Sequence, residues 1–366
     1  MRIGIDSRMI SMTGIGTYLR NLIDGIGELD KENKFILFMH PSDIENFKLP
    51  GSNFKLVPSK SIAYSISEQT VFPKLVSKFK LDLIHYPHYF HPFFGTTPFI
   101  VTIHDMIHQL FPHFCPSYLH WKISWLMIKR AVKKSRVVLT VSENSANDIT
   151  NKLDVEKDKM RVIYNSLPKK WGSESKREIS GELKSFLEGR SYFLYVGNHK
   201  LHKNIPFLLK AFSNLNRNKH LCLVLTGENK RFEKIISRLS LHSSVYFLGN
   251  IDLETLQGIY SNACAVVLPS LYEGFGLPAL EAMSLGVPPI VSDAGSLPEV
   301  VADAGLVFPV SDMQALENGM LKMFEDVKLR DRLSYKCLER ASSFSMLDSA
   351  RKTLSAYKDA IVNFRE

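Results

Sequence analysis

Two glutamates separated by seven residues flank a glycine loop in the segment 269–288, P-S-L-Y-E-G-F-G-L-P-A-L-E-A-M-S-L-G-V-P. Glu273 precedes the loop and Glu281 follows it. Backbone N–H groups at the start of a helix attract anions, phosphate above all, and carboxylates accept hydrogen bonds from hydroxyl groups. Acids on both sides of an anion site therefore indicate a ligand with phosphate and hydroxyl groups. A nucleotide sugar is such a ligand.

The elements that position these acids can be read from the same part of the chain. The apolar run 263–268, A-C-A-V-V-L, predicts a buried strand of a parallel sheet. Pro269 ends this strand, and Pro278 suits the first turn of a helix that Gly286 terminates. The two glycines between them allow unusual backbone angles. We therefore predict a strand, a glycine loop and a helix N-terminus in succession.

The motif E-G-F-G-L-P-x-L-E-A resembles the signature of the retaining glycosyltransferases of family 4, which have the two-domain GT-B fold. The spacing, the glycines, the proline and both acids occur together. The resemblance implies that helix N–H groups at Phe275, Gly276 and Leu277 hold the donor diphosphate. It also implies that Glu281 accepts the ribose hydroxyls, and that Glu273 holds the sugar ring and favours positive charge at the anomeric carbon.

Four further residues match positions that this family uses. Gly14 and Gly16 lie in a loop predicted after the first strand, where relatives have glycines facing the donor diphosphate. His104 directly follows the strand V-T-I, where the family places a histidine near the reacting sugar. Lys203 comes six residues after a strand that ends in glycine, and relatives have a lysine there that contacts the diphosphate. A cation at that position would neutralise charge on the leaving nucleotide.

The sequence departs from some relatives at Asn198 and His202, where they have arginine. Asn198 stays among the expected donor-binding residues, and Lys200 and His202 are alternative sources of a second cation. No D-x-D triplet occurs, so the usual metal-bound diphosphate motif is missing. We expect neither a metal nor a cofactor, because Lys203, the Gly16 loop and the helix N–H groups would hold the charge.

Histidines are concentrated in one part of the chain, with seven of the twelve between His85 and His120. Three of them lie in H-Y-P-H-Y-F-H-P, a proline-broken loop without the regular spacing of a zinc helix. We therefore predict no metal site there. In the V-T-I-H-D segment, Asp105 is a candidate orienting partner for His104, and the alternative is a core histidine with satisfied hydrogen bonds.

Strand-like runs alternate with helical patterns along the chain, which predicts an α/β fold of doubly wound parallel sheets with ligands beyond the carboxyl ends of the strands. A chain of 366 residues exceeds one typical core. We predict two Rossmann-like domains, an acceptor-side domain at 1–175 and a nucleotide-sugar-binding domain at 185–345, joined by a polar linker at 168–181. The resemblance implies that the last helix, in 346–366, crosses back to the first domain and that domain closure excludes water.

The composition is that of an ordinary globular protein, with 45% hydrophobic and 23% charged residues. No apolar stretch approaches the ~18 residues of a membrane-spanning helix, and charges near the N-terminus argue against a signal peptide. The four cysteines lack metal-ligand spacing, which favours reduced thiols in a cytoplasmic protein.

The net charge of +9 is unevenly distributed. Residues 1–180 contain 25 Lys and Arg against 17 Asp and Glu, and the remainder contains 21 against 20. A basic half could meet anionic lipid, a phosphate-bearing acceptor or nucleic acid. The helix predicted after Ser117 combines basic residues with an apolar stripe, which a membrane interface could also bind. We favour packing of this stripe on the sheet, with the members Trp121, Trp125, Ile128 and Val132.

These observations predict a retaining, metal-independent hexosyltransferase that uses a nucleotide sugar. The resemblance is to bacterial mannosyltransferases of surface polysaccharide assembly, lipopolysaccharide included, so GDP-mannose is the first choice of donor and UDP- or dTDP-sugars are the alternatives. The acceptor would be a saccharide or a lipid-linked oligosaccharide, at the inner face of the plasma membrane, with no nucleic acid involved. A sugar-nucleotide epimerase and a non-catalytic nucleotide-sugar binder are the competing functions.

Overall fold

The computed structural model describes residues 1–169, 171–172, 181–216 and 221–362. The chain divides into two compact units. The first contains Met1–Pro168 and the chain from Phe344 onward, and the second contains Lys169–Ser343. Most of the predicted linker, 168–181, and the end of the segment 346–366 lie outside the described residues.

The first unit is built on a parallel sheet, for which the described residues supply these strands: β1 (Arg2–Asp6), β2 (Lys34–Met39), β3 (Phe54–Pro58), β4 (Leu83–Tyr86), β5 (Phe99–Ile103), β6 (Val138–Thr140) and β7 (Met160–Val162). Their order in the sheet is β3-β2-β1-β4-β5-β6-β7. The order reverses between β1 and β4, which makes this pair the topological switch point where ligands of such sheets bind.

Helices cover both faces of this sheet, because nearly all of its central residues are apolar and buried. They are α1 (Thr13–Leu29), α2 (Pro41–Ile44), α3 (Ile66–Ser77), α4 (Ile107–Leu110), α5 (Tyr118–Lys134), α6 (Glu143–Leu153) and, from the end of the chain, α15 (Met346–Val362). Short 3₁₀ turns lie at Pro112–Phe114 and Lys157–Lys159.

The last helix, α15, packs against α1. Gly25 allows the two helices to approach closely, since a Cβ atom on it would lie 2.7 Å from the Cβ of Ala350. Tyr357 is fully buried in the same core. Helix α15 is therefore an integral part of the first unit.

The second unit repeats the architecture with the described strands β8 (Tyr192–Tyr195), β9 (Cys222–Leu225), β10 (Val245–Phe247), β11 (Ala265–Leu268), β12 (Pro289–Ser292) and β13 (Leu306–Phe308). They are parallel and ordered β10-β9-β8-β11-β12-β13. The helices are α7 (Gly181–Leu187), α8 (Ile205–Leu215), α9 (Glu233–Arg238), α10 (Leu253–Ser261), α11 (Leu277–Ser284), α12 (Leu297–Val301), α13 (Met313–Glu325) and α14 (Val327–Ser342), with 3₁₀ turns at Leu201–Lys203 and Asn229–Arg231.

The predicted fold class is confirmed, since both units are α/β with parallel sheets. The strand expected over 263–268 begins only at Ala265, because the preceding residues close helix α10 with a hydrogen bond from Ala263 N to the carbonyl of Tyr260.

Helix α5 has two apolar faces, and only part of the predicted stripe is buried. Ile128 and Val132 pack in the core, as we expected, whereas both tryptophans are only partly buried. A second face leaves large apolar side chains exposed: Tyr118, Leu119, Ile123 and Leu126. No helix among the described residues is long and apolar enough to cross a membrane.

Candidate active site

The predicted residues of the second unit gather at its topological switch point, between β8 and β11. Lys203 lies in the 3₁₀ turn that follows β8, and Glu273 lies in the loop that follows β11. A hydrogen bond of 2.7 Å from Leu271 N to the carbonyl of His202 joins the two loops directly. Because β8 and β11 are adjacent parallel strands, the loops that follow them bring residues 70 positions apart together at one edge of the sheet.

Lys203 and Glu273 form a partly buried ion pair, with the ammonium 2.6 Å from Oε1 of the carboxylate. Ser270 donates a second hydrogen bond of 2.7 Å to the same oxygen. Burial acts to raise the pKa of Glu273, but the charge of Lys203 and these hydrogen bonds outweigh it and lower that pKa. Glu273 is therefore an anion at neutral pH, oriented through one oxygen.

The backbone of Glu273 is held by the loop between β12 and α12. Ser296 donates to its carbonyl oxygen from both N and Oγ, each at 3.1 Å. Gly295 lies close beneath it at φ +61°, where an added Cβ would be 2.4 Å from that oxygen. These two residues could not be identified from the sequence, because nothing in their own spacing points to Glu273.

The glycine loop opens helix α11 as predicted. Gly276 has φ +93° and is the N-cap of the helix, and an added Cβ would lie 2.6 Å from the side chain of Leu297. Leu277 and Pro278 form the first turn. Pro278 has no N–H group, and the N–H of Leu277, at the first helical position, has no intrahelical acceptor. Phe275 is buried beside them. The loop offers positive backbone dipoles next to the Lys203–Glu273 pair.

Glu281, inside α11, has a different environment. The fully buried Tyr260 of α10 donates a hydrogen bond of 2.6 Å to its Oε2. Trp171 donates from Nε1 to the Glu281 carbonyl at 3.3 Å and packs edge-on against Tyr260. Burial raises the pKa of Glu281, and the bond from Tyr260 opposes that rise. One carboxylate oxygen is thus occupied, and sequence periodicity could not reveal this partner from another helix.

The expected donor-binding residue Asn198 is exposed and bonds within its own loop, where its Oδ1 accepts from Lys200 N at 3.2 Å. Lys200 is also exposed. His202 is partly buried, and its charge would lower the pKa of Glu273. Of the two alternatives for a second cation, His202 is the one that the structure brings to Glu273.

In the first unit, the glycine pair lies inside a helix and not in a loop. Helix α1 begins at Thr13, so Gly14 and Gly16 occupy its first turn. Gly16 N donates to the Met12 carbonyl at 3.1 Å, and an added Cβ on Gly16 would lie 2.3 Å from the Ile10 carbonyl oxygen. The prediction of a loop at the two glycines was wrong: residues 7–12 connect β1 to the helix, and the close approach of Gly16 to Ile10 lets the helix begin at Thr13. Gly14 has open space around its Cα.

His104 follows β5 and is partly buried. Its Nε2 lies 2.9 Å from the carbonyl oxygen of Pro87, and its own carbonyl accepts from Ser145 Oγ at 3.2 Å. Burial lowers the pKa of His104, although the charge of Asp105 and the Pro87 bond oppose the shift. The carboxylate of Asp105 accepts from Ile107 N at 3.0 Å. Pro87 therefore orients the ring, and Asp105 acts only through its charge.

Two of the seven histidines between His85 and His120 lie in the core of the first unit. Among the described residues no group of three His, Cys, Asp or Glu side chains could hold a metal ion. His85 and His91 are almost completely buried, and burial lowers the pKa of His85 to about 3 and that of His91 to about 4. Both rings are neutral at pH 7.

We expect these two histidines to make the first unit acid-labile. An unfolded histidine has a pKa of about 6.5, so below that pH the unfolded chain binds protons that the folded chain does not. Each ring should then reduce the free energy of unfolding by about 1.4 kcal/mol per pH unit, down to its folded pKa. Urea denaturation at several pH values between 7.5 and 5 measures the slope.

The matched comparison for acid lability is His91→Asn against His242→Asn, since His242 is exposed. The first variant should reduce the slope by one histidine's share, and the second should leave it unchanged. Equal slopes in the wild type and His91→Asn would contradict the prediction.

The described groups define a site for an anionic, hydroxyl-bearing ligand: a lysine, a helix N-terminus and two carboxylates at the switch point of a Rossmann-like unit. Together with two such units in one chain, they define the GT-B class of glycosyltransferases.

Comparison with known proteins agrees with this class. Residues 12–168 match the family described as Glycosyltransferase Family 4, and residues 177–340 match Glycosyl transferases group 1. The chain is 31% identical over 270 residues to the O-antigen chain mannosyltransferase B of Escherichia coli, covering 71% of this chain and 70% of that protein. It is 32% identical over 213 residues to the O-antigen chain mannosyltransferase RfbU of Salmonella typhimurium, covering 55% and 57%.

Among solved structures, sucrose-phosphate synthase from Thermosynechococcus elongatus superimposes with a TM-score of 0.80 at 20% identity, over 98% of each chain. At that identity the match establishes the shared fold. The chain belongs to glycosyltransferase family 4. It is a glycosyltransferase, which sets aside the epimerase and the non-catalytic binder.

Proposed function

We propose that this enzyme transfers mannose from GDP-mannose, with retention of configuration and without a metal, to a hydroxyl group of a saccharide or lipid-linked saccharide in cell-surface polysaccharide synthesis. The observation that carries the proposal is the Lys203–Glu273 pair beside the N-terminus of α11. It combines positive charge for a diphosphate with an oriented carboxylate for a sugar. The names of the relatives from Escherichia coli and Salmonella typhimurium support mannose.

In the proposed reaction, the bond between the anomeric carbon and the phosphate oxygen breaks as the acceptor oxygen approaches on the same face. The acceptor proton passes to the departing phosphate oxygen, so no protein nucleophile is needed. Lys203 and the N–H groups of α11 stabilise the charge on the leaving diphosphate. Glu273 stabilises positive charge at the anomeric carbon, and His104 binds the sugar.

The donor is tested by titration calorimetry with GDP, UDP, dTDP and ADP, followed by transfer assays with the matching sugars, with and without EDTA. We expect selective binding of GDP and transfer from GDP-mannose that EDTA does not reduce. The anomeric configuration of the product, read by NMR, should equal that of the donor. Selective binding of UDP or dTDP would indicate a UDP- or dTDP-sugar as the donor instead of GDP-mannose. A product with inverted anomeric configuration would refute the retaining mechanism.

We also propose that helix α5 contacts an anionic membrane surface. Its exposed face combines Leu119, Ile123 and Leu126 with exposed lysines, and Lys122 stacks over Tyr118 at 4.6 Å. Apolar side chains can enter the headgroup region while lysines meet anionic lipid. The excess of basic residues in positions 1–180 also favours contact with an anionic surface.

Sedimentation with phosphatidylcholine vesicles, with and without phosphatidylglycerol, measures this contact. We expect binding only to the anionic vesicles, weakened by salt, and reduced about tenfold or more in the double variant Ile123→Glu and Leu126→Glu, since each buried leucine or isoleucine contributes about 1.5–3 kcal/mol. Leu338→Glu, at an exposed apolar position of the second unit, is the control. Unchanged vesicle binding of the double variant would show that α5 does not contact the membrane surface.

A further inference from the structure

A buried chain of hydrogen bonds in the first unit joins helix α15 to the strands that end near His104. Tyr357 Oη lies 2.8 Å from Nδ1 of His85, and Nε2 of His85 lies 2.8 Å from Oγ1 of Thr102. Tyr18 of α1 completes the chain, with its hydroxyl 2.9 Å from the same Oγ1. We call these four residues the His85 network. None of them is more than 7% exposed.

The network accommodates a neutral His85, because one ring nitrogen can donate a hydrogen bond while the other accepts one, and each neighbouring hydroxyl can take either role. Burial holds the pKa of His85 far below its ordinary value, so the neutral form is the one present at pH 7. In such a network each partner depends on the next, because a buried polar group without a partner is costly.

The network lies directly behind the contacts that hold His104. His85 lies in β4 and precedes Pro87 by two residues, and Thr102 lies in β5 and precedes His104 by two. The Pro87 carbonyl accepts from the His104 ring at 2.9 Å. Tyr18 meets that ring edge-on, at 5.0 Å between centroids and 85° between planes. Of these two contacts of His104, Tyr18 belongs to the network, and Pro87 lies two residues beyond its member His85.

The Pro87 contact also selects the tautomer of His104. A carbonyl oxygen can only accept, so Nε2 carries the hydrogen and Nδ1 has the lone pair. His104 can therefore accept a hydrogen bond from a ligand hydroxyl through Nδ1. The direction of that lone pair depends on the ring plane, which Pro87 and Tyr18 determine.

We propose that Tyr357, His85 and Thr102 are positioning residues for the transfer reaction, acting through the orientation of the His104 ring. The most distant member comes from the last helix, 272 residues after His85. The inference rests on the proposed role of His104 as a ligand of the donor sugar. Misplacement of a reacting group by as little as about 1 Å can cost about 100-fold in rate, so a network without substrate contact can still affect turnover.

The test uses Tyr357→Phe and Thr102→Val, which each remove one hydroxyl and preserve shape. We expect kcat to fall about tenfold in each, with the donor KM within about twofold of the wild type. Nitrogen-15 NMR of the histidine side chains should report a single Nε2–H tautomer for His104 in the wild type. In the variants we expect a mixture, because a displaced ring loses its contact with the Pro87 carbonyl. Tyr192→Phe is the matched control, because that buried hydroxyl donates to the Ile259 carbonyl at 2.6 Å in the second unit.

Wild-type kcat and an unchanged His104 spectrum in both variants would overturn the proposal, as would an equal loss in Tyr192→Phe. If Tyr357→Phe does not fold, Thr102→Val decides alone. Failure of the underlying function has a different signature: His104→Ala would then retain full turnover. The NMR experiment would still show whether the network sets the ring tautomer.

Discussion

Glu273→Gln is expected to lower kcat by about three orders of magnitude, while the affinity for GDP stays equal to that of the wild type or increases. Glutamine keeps the shape of the side chain, and its carbonyl oxygen can still accept from Lys203 and Ser270, which both bind one oxygen of the native carboxylate. The variant loses only the negative charge that opposes positive charge at the anomeric carbon. Removal of one such preorganised electrostatic contact costs about 100- to 1,000-fold.

The GDP affinity should survive because Lys203 no longer has a carboxylate counterion. Because no carboxylate then competes for the positive charge of Lys203, the attraction between Lys203 and the diphosphate increases. Single-turnover kinetics and calorimetry with GDP separate the two effects. Asp303→Asn is the control, since Asp303 forms a pair of the same 2.6 Å length with Lys336 at the exposed surface and should affect neither quantity. Turnover of Glu273→Gln above about a tenth of the wild-type value would show that the charge of Glu273 does not take part in the reaction.

Glu281→Gln is expected to act on nucleotide binding instead, weakening GDP affinity about 10- to 100-fold. A hydrogen bond to a charged group contributes about 1.5–3 kcal/mol, and about 1.4 kcal/mol is a factor of ten in affinity. Tyr260 already occupies Oε2 at 2.6 Å, so Oε1 is the oxygen assigned to the ribose. Calorimetry with GDP measures the loss, and saturating donor should restore most of the turnover.

Tyr260→Phe should reduce the same affinity by a smaller factor, because it removes the bond that orients the Glu281 carboxylate and leaves its charge in place. Tyr192→Phe again serves as the control in the same unit. The proposed division of labour would be refuted if Glu273→Gln and Glu281→Gln lost GDP affinity and turnover to the same extent.

Much of the site could be predicted because its central segment is locally determined. The β-strand propensity of A-V-V-L, the stop at Pro269 and the glycine loop before Pro278 all lie within one stretch of chain. Gly276 needs the left-handed angle that only glycine adopts freely, so the residue type reveals the backbone. The alternation of apolar runs and helical patterns likewise depends on neighbours a few residues apart.

Helix α5 illustrates where such periodicity fails. Both of its faces are apolar, and the hydrophobic pattern predicts burial for either. Which face packs depends on the shape of the sheet beneath it, and the structure buries Ile128 and Val132 while exposing Leu119 and Ile123. The early start of α1 has a similar origin, since it depends on the contact of Gly16 with the Ile10 backbone.

The sequence by itself therefore determined the fold class, the glycine loop and the identity of the acids, because these follow from backbone preferences and short-range spacing. Only the tertiary structure decided which groups orient them. Lys203 meets Glu273 from 70 residues away, Tyr260 reaches Glu281 from another helix, and Tyr357 reaches His85 across 272 residues. Such pairs have no local signal, because they depend on the order in which parallel strands assemble into a sheet.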